Sequence, residues 1–164
     1  MRELCDSLAA GILKICEANN TKIACAESLT GGLLADAFVR IPGASNVLLG
    51  SAVTYDINAK ASILHVDKAL LDREGAVHPE VARQMAVGTA RLYSQPEYGD
   101  RIIGDKPAGL VYVGLRIPAS LTPDHAEVLK AVELHLDGMR EEIRRLTVFH
   151  VLQNLSLFTA SFKE

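Results

Sequence analysis

Apolar residues recur at helical spacing from Arg2 to Asn19, at Leu4, Leu8, Ile12, Ile15 and Cys16, and Asn19-Asn20 supplies a stop. The run Ile23-Ala24-Cys25-Ala26 within Lys22 to Ala26 predicts a short buried strand. A helix follows from Ser28 to Arg40, with Leu33, Leu34, Ala37, Phe38 and Ile41 on one side, and Pro42-Gly43 ends it. Val47 to Tyr55 reads as a second strand, and short helices are expected over Asn58 to Leu64 and Asp67 to Asp72. His78-Pro79-Glu80 opens a stronger helix, because proline suits its first position and an acid complements its dipole. Its inner stripe is Val81, Met85, Gly88 and Leu92. Arg101 to Gly104, Gly109 to Arg116 and Glu127 to Leu136 predict three further strands, the last an edge. A final helix runs from Met139 to about Phe158, burying Ile143, Leu146, Phe149, Leu152 and Leu155.

This order predicts an α/β fold: one compact domain over residues 1–164, with a mixed β-sheet covered by helices on both faces. The sheet is mixed because the late strands lack helical crossovers. A length of 164 residues suits a single core. With 49% apolar residues, 12 Gly and 6 Pro, disorder and collagen-like repeats are excluded. Mean hydropathy is +0.17, yet no apolar run approaches the roughly 20 residues that span a bilayer, so no membrane partner is expected. A net charge of −3 without a clustered basic face gives no reason to expect nucleic acid. Cys5, Cys16 and Cys25 have no CxxC spacing and read as reduced thiols, and the N-terminus lacks a signal-peptide core. The expected compartment is the cytoplasm.

Two stretches carry candidate chemistry. In Ala26-Glu27-Ser28-Leu29-Thr30-Gly31-Gly32 a buried strand runs into a helix through Ser, Thr and two glycines. Free amides at a helix start attract anions, and glycine permits close approach; ordinary capping by Ser28 or Thr30 is the plain alternative. Neither a Walker A lysine nor the three-glycine dinucleotide spacing is present. The second stretch, Thr54-Tyr55-Asp56-Ile57-Asn58-Ala59-Lys60, follows the second strand. Adjacent parallel strands would bring Ser28, Tyr55 and Lys60 to one sheet edge, where ligands usually bind. A desolvated lysine can activate a serine without any histidine; a solvated surface lysine is the alternative. His65, His78, His125, His135 and His150 show no paired metal-ligand spacing, so no metal is expected. Asp36 lies two helical turns beyond Ser28, too far for more than indirect help. Arg140 and Arg144 share a helix face at i, i+4 and either would suit a phosphate, unless they pair with Glu141 and other acids on a wet surface.

The segment from Ala26 to Val66 resembles the CinA C-terminal-like family, the nicotinamide-nucleotide amidohydrolases, whose hallmark is Ala-Glu-Ser-Cys-Thr-Gly-Gly, then Pro-Gly-Ser, then Tyr-Ser-Asn-x-Ala-Lys. The resemblance continues at Gly75-Ala76-Val77, Glu80-Val81-Ala82, Lys106-Pro107-Ala108-Gly109-Leu110-Val111-Tyr112, and Gly138-Met139-Arg140 with Arg144. It implies hydrolysis of nicotinamide mononucleotide to nicotinate mononucleotide and ammonia, on an α/β domain without metal or cofactor. By the same resemblance Ser28 is the nucleophile, Lys60 its general base and Tyr55 a proton relay or orienting group. Thr30, Gly31 and Gly32 would present donors to an anionic group, and Arg140 or Arg144 would meet the substrate phosphate. Such proteins also often form homo-oligomers, and Phe149 to Phe162 is apolar enough for a contact between copies, with core packing as the alternative.

The sequence departs from the family pattern at four places. Leu29 replaces a Cys, Asp56-Ile57 replaces Ser-Asn, and Met139 stands where Asp is expected. The family's Thr-Gly-Ile-Ala-Gly-Pro loop has no counterpart between Ile103-Gly104 and Asp105-Lys106. Two readings follow: a shortened protein with an open pocket, or a sequence from which that loop is missing. The first leaves room for a non-catalytic member that binds nucleotides or a partner. A kinase-like enzyme is a third, fold-level option with no ATP motif behind it.

Overall fold

The computed structural model describes residues 1–93, 101–102, 110–119, 122 and 124–160. The joint at Gly104–Asp105, the Lys106–Gly109 motif and Phe162 lie outside the described residues. Helix α1 spans Arg2–Ala18 and leads into strand β1, Lys22–Glu27. Helix α2, Leu33–Val39, and a 3-10 turn at Ala44–Asn46 precede β2, Leu48–Val53. Then come α3 (Ile57–Leu64), α4 (Lys68–Glu74) and α5 (Pro79–Leu92). Strands β3 (Arg101–Ile102), β4 (Leu110–Ile117) and β5 (Val128–His135) precede the last helix, α6, Arg140–Ala160.

The fold is mixed α/β, as expected. Strands β2, β1 and β3 form a parallel sheet in that order, while β4 and β5 pair antiparallel as a second sheet. Strand β4 packs beside β3, but no ladder joins the two sheets among the described residues. Strand β1 is nearly all apolar because both its faces are covered. Ile23 and Cys25 join one core with α1, α2, β4 and α6, whereas Ala26 joins a second core with α3, α4 and α5.

Three details of the sequence reading change. Helix α2 begins at Leu33 rather than Ser28, because Gly31 and Gly32 adopt left-handed φ values of 57° and 100° and form a turn first. The buried stripe of α1 is Cys5, Ala9, Ile12, Leu13 and Cys16, which turns Leu4 outward, and Leu92 on α5 is also exposed. In α6, Val151, Leu152 and Leu155 are core residues with Phe149 and Phe158 packed against them. All three cysteines are buried thiols outside any disulfide, and burial pushes the Cys16 thiol up to about 12.

Close packing onto α5 sets the depth of α3. A Cβ at Gly88 would lie 1.9 Å from the Leu64 carbonyl oxygen, and one at Gly114 would lie 2.2 Å from that of Ala82. Only glycine lets these backbones meet. Gly88→Ala is therefore expected to push α3 away from α5 and cost about 3 kcal/mol in urea denaturation, the upper range for overpacking. Because Lys60 rides on α3 one turn before Leu64, its position should shift with the helix.

Candidate active site

The parallel register pairs Glu27 with Val53, so the chain leaves both strands at the same edge. Ser28 follows β1 and Thr54-Tyr55 follows β2, and Ser28 is buried at 3% exposure. The Gly31 amide donates to the Ser28 carbonyl at 3.2 Å, closing a β-turn with Leu29 and Thr30 at its corners.

Glu27, fully buried, holds the far side of this turn. One carboxylate oxygen accepts from the Thr30 hydroxyl (2.9 Å) and from the amides of Gly32 (2.9 Å) and Leu34 (3.0 Å). The other accepts from the Ala35 amide (3.0 Å) and the Ser51 hydroxyl (2.8 Å). A helix start with glycines attracts an anion, and here that anion belongs to the chain itself. The Thr30 hydroxyl and the Gly32 amide thus serve Glu27, and the Gly31 amide serves the turn.

Lys60 is the largest departure from ordinary surface chemistry, since its exposure is 0%. Asp56 caps α3, accepting from the Asn58 and Ala59 amides at 2.8 and 3.2 Å, and these amides hold its carboxyl below the ordinary carboxylate range. The helix so started carries Lys60 inward. Its Nζ lies 3.1 Å from Ser28 Oγ and donates to the carbonyl oxygens of Thr54 and Tyr55, the latter at 3.2 Å. The serine and lysine are 32 residues apart in sequence.

Tyr55 gives its carbonyl to Lys60, while its side chain is 61% exposed at the rim. Its hydroxyl accepts from Arg140 Nη2 at 2.5 Å, which brings α6 to the same edge. Arg144, one turn on, points elsewhere. Its Nε donates to the Leu29 carbonyl and its Nη2 to the Thr30 carbonyl, both at 3.0 Å, and Nη1 pairs with Glu141 at 2.7 Å. Ser28 and Lys60 thus meet side chain to side chain, Tyr55 joins Lys60 through its carbonyl and Arg140 through its hydroxyl, and Arg144 holds the Leu29 and Thr30 carbonyls of the turn. Asp36 is engaged elsewhere, paired with Arg40. Among the described residues no group of three or more His, Cys, Asp or Glu side chains is arranged to hold a metal ion.

The family model for the CinA C-terminal domain matches residues 5–158. The chain belongs to the CinA C-terminal domain family. Proteins named competence-damage inducible are similar in sequence: one from Caldanaerobacter subterraneus subsp. tengcongensis is 38% identical over 148 residues, covering 85% of this chain. Another from Clostridium botulinum (strain Langeland / NCTC 10281 / Type F) is 39% identical over 158 residues, covering 91%. This CinA domain spans about a third of the length of those relatives, 34% and 36%. Among solved structures, a CinA superfamily protein from Escherichia coli superposes with a TM-score of 0.77 at 26% identity, covering 93% of this chain and 90% of that one. The competence/damage inducible protein CihA from Agrobacterium tumefaciens gives 0.78 at 28% identity, covering 94% and 95%.

Two departures from the family motif have local explanations. Asp56 supplies the N-cap that a serine would supply, and Ile57 packs against the second core. At Met139, Glu142 reaches back to accept from the Met139 amide at 2.7 Å, half of a capping box that starts α6 without an aspartate. Sequence reasoning missed Glu27 as an anchor. The available signal was an acid ending an otherwise apolar strand just before a glycine-rich helix start. Among the described residues no helix is long and apolar enough to cross a membrane.

Proposed function

We propose that this CinA domain hydrolyses the carboxamide of nicotinamide mononucleotide, giving nicotinate mononucleotide and ammonia by a serine–lysine mechanism. One observation carries the reading: the amine of Lys60, fully buried, lies 3.1 Å from the hydroxyl oxygen of Ser28. That is hydrogen-bond reach between a nucleophile and its base.

In this reading Ser28 Oγ attacks the carboxamide carbon and its proton passes to the neutral amine of Lys60. The tetrahedral intermediate then collapses as the C–N bond breaks, and Lys60 returns the proton to the departing nitrogen, which leaves as ammonia. Water attacks the resulting acyl ester, Lys60 takes one of its protons and passes it to the released Ser28 oxygen, and the new carboxylic acid gives its remaining proton to solvent as it departs as nicotinate. The carbonyls of Thr54 and Tyr55 keep the amine aimed at Ser28 through both half-reactions. In this reading Tyr55 and Arg140, joined at 2.5 Å on the rim, meet the substrate's polar end, with Arg140 as the cation for its phosphate.

The test is direct. Purified protein of verified mass should release one ammonia per nicotinate mononucleotide formed from nicotinamide mononucleotide. Saturable binding without turnover would overturn the enzymatic reading and favour a nucleotide-binding domain.

A further inference from the structure

The guanidinium of Arg144 spends its Nε–Nη2 edge, the edge that best grips an anion in a bidentate way, on two main-chain carbonyls. Those carbonyls, Leu29 and Thr30, are the two corners of the turn that begins at Ser28. A trans peptide is planar, so fixing a carbonyl fixes the amide on its other side. With both corner carbonyls drawn towards α6, the amides of Thr30 and Gly31 point away from it, and the Gly31 amide closes onto the Ser28 carbonyl. The Glu27 carboxylate meanwhile holds the same turn through the Thr30 hydroxyl and the Gly32 amide. Thr30 is thus gripped on its carbonyl by Arg144 and on its hydroxyl by Glu27. The guanidinium also rests against the turn itself: a Cβ at Gly31 would lie 3.5 Å from its Nη2.

We infer that Arg144 is a positioning residue for the nucleophile, clamping the Ser28–Gly31 turn from α6, and that the phosphate-facing arginine is Arg140. This rests on the serine–lysine reading above. Two arginines one helical turn apart thereby divide the labour. The inner one works on the main chain that carries Ser28, and the outer one stands on the rim with Tyr55.

The two roles give different kinetics. Losing a clamp misplaces the nucleophile and lowers kcat with KM little changed, whereas losing a phosphate contact raises KM for the phosphorylated substrate alone. Arg144→Gln is expected to lower kcat about 100-fold, the scale of a misplacement near 1 Å. Arg144→Lys keeps the charge but replaces the planar fork that spans both carbonyls with a single point donor on a different stem, and should recover less than a tenth of the wild-type kcat. Both variants should keep the wild-type preference for nicotinamide mononucleotide over nicotinamide riboside, which lacks the phosphate, and Arg140→Ala should lose it. A raised KM with kcat retained in Arg144→Gln, or a lost preference for the phosphate, would overturn the inference.

A second readout needs no nucleotide. The labelling rate of Ser28 by an alkyl fluorophosphonate, followed by intact mass, should fall at least tenfold in both Arg144 variants. In Arg144→Ala it should recover on adding free guanidinium ion. Equal labelling in wild type and variants sinks the clamp. Wild type that labels at Ser28 but releases no ammonia from nicotinamide mononucleotide overturns the substrate assignment and leaves the clamp to the labelling result. Wild type inert in both assays overturns both.

Discussion

Replacing Lys60 with methionine should lower the rate of ammonia release by about 10³-fold, the scale of a lost general base. Methionine has nearly the length of lysine and no charge, so the cavity stays filled while the amine at 3.1 Å from Ser28 disappears. Stability should move little, because two effects oppose. The Thr54 and Tyr55 carbonyls lose a donor, at about 1–3 kcal/mol for each group left without a partner. Against that, the desolvation penalty of a fully buried polar amine is removed. A thermal melt alongside the ammonia assay separates loss of chemistry from loss of fold. Ser28→Ala should match the methionine variant, and the double variant should be no worse than either, because the pair acts as one unit. A double variant slower by the product of the single effects would show that the two residues act independently.

Glu27→Ala is expected to be the most destabilising single change at the site, by about 4 kcal/mol in urea denaturation. Five donors lose their acceptor at once: the hydroxyls of Thr30 and Ser51 and the amides of Gly32, Leu34 and Ala35. With all of them crowded around a side chain at 0% exposure, water cannot replace the carboxylate without opening the helix start. For a chain of this size the melting temperature should drop by roughly 8–16 °C. Glu27→Gln should lie between, since one oxygen still accepts while the new NH₂ faces N–H and O–H groups that also donate. A loss under 1 kcal/mol for the alanine variant would show that Glu27 is not the anchor of this turn.

The order of elements was legible because each carries its own period or its own punctuation. Pro79 does open α5, and the apolar run at β1 is a buried strand, whereas β4, expected to be fully buried, alternates buried positions with half-buried ones such as Tyr112 and Arg116. Details failed where side-chain identity alone cannot decide. Leu4 and Leu92 are apolar yet exposed, because the inner faces of α1 and α5 are set by what packs there, including the small Ala9, Ala86 and Ala90. The start of α2 was misplaced because Ser and Thr ahead of an apolar run look like caps, whereas the Glu27 carboxylate takes the amides of Gly32, Leu34 and Ala35. The convergence of Ser28, Tyr55 and Lys60 followed from parallel-strand logic. The burial of Lys60 did not, because a lysine on a short helix carries no sign of how deep α5 allows that helix to sit. Nor could an i, i+4 pair of arginines reveal that one turns inward to carbonyls and the other outward to Tyr55.

Position 55 joins two jobs in one residue and keeps them on different atoms. Its carbonyl seats the lysine, a task any amino acid other than a backbone-distorting one performs, while its aromatic ring stands in solvent at the rim. Substituting the ring therefore edits the doorway and leaves the engine in place. On the serine–lysine reading, substrate range and catalytic competence become separately adjustable, and saturation mutagenesis at residue 55 is the natural starting point for redirecting the domain towards other amides.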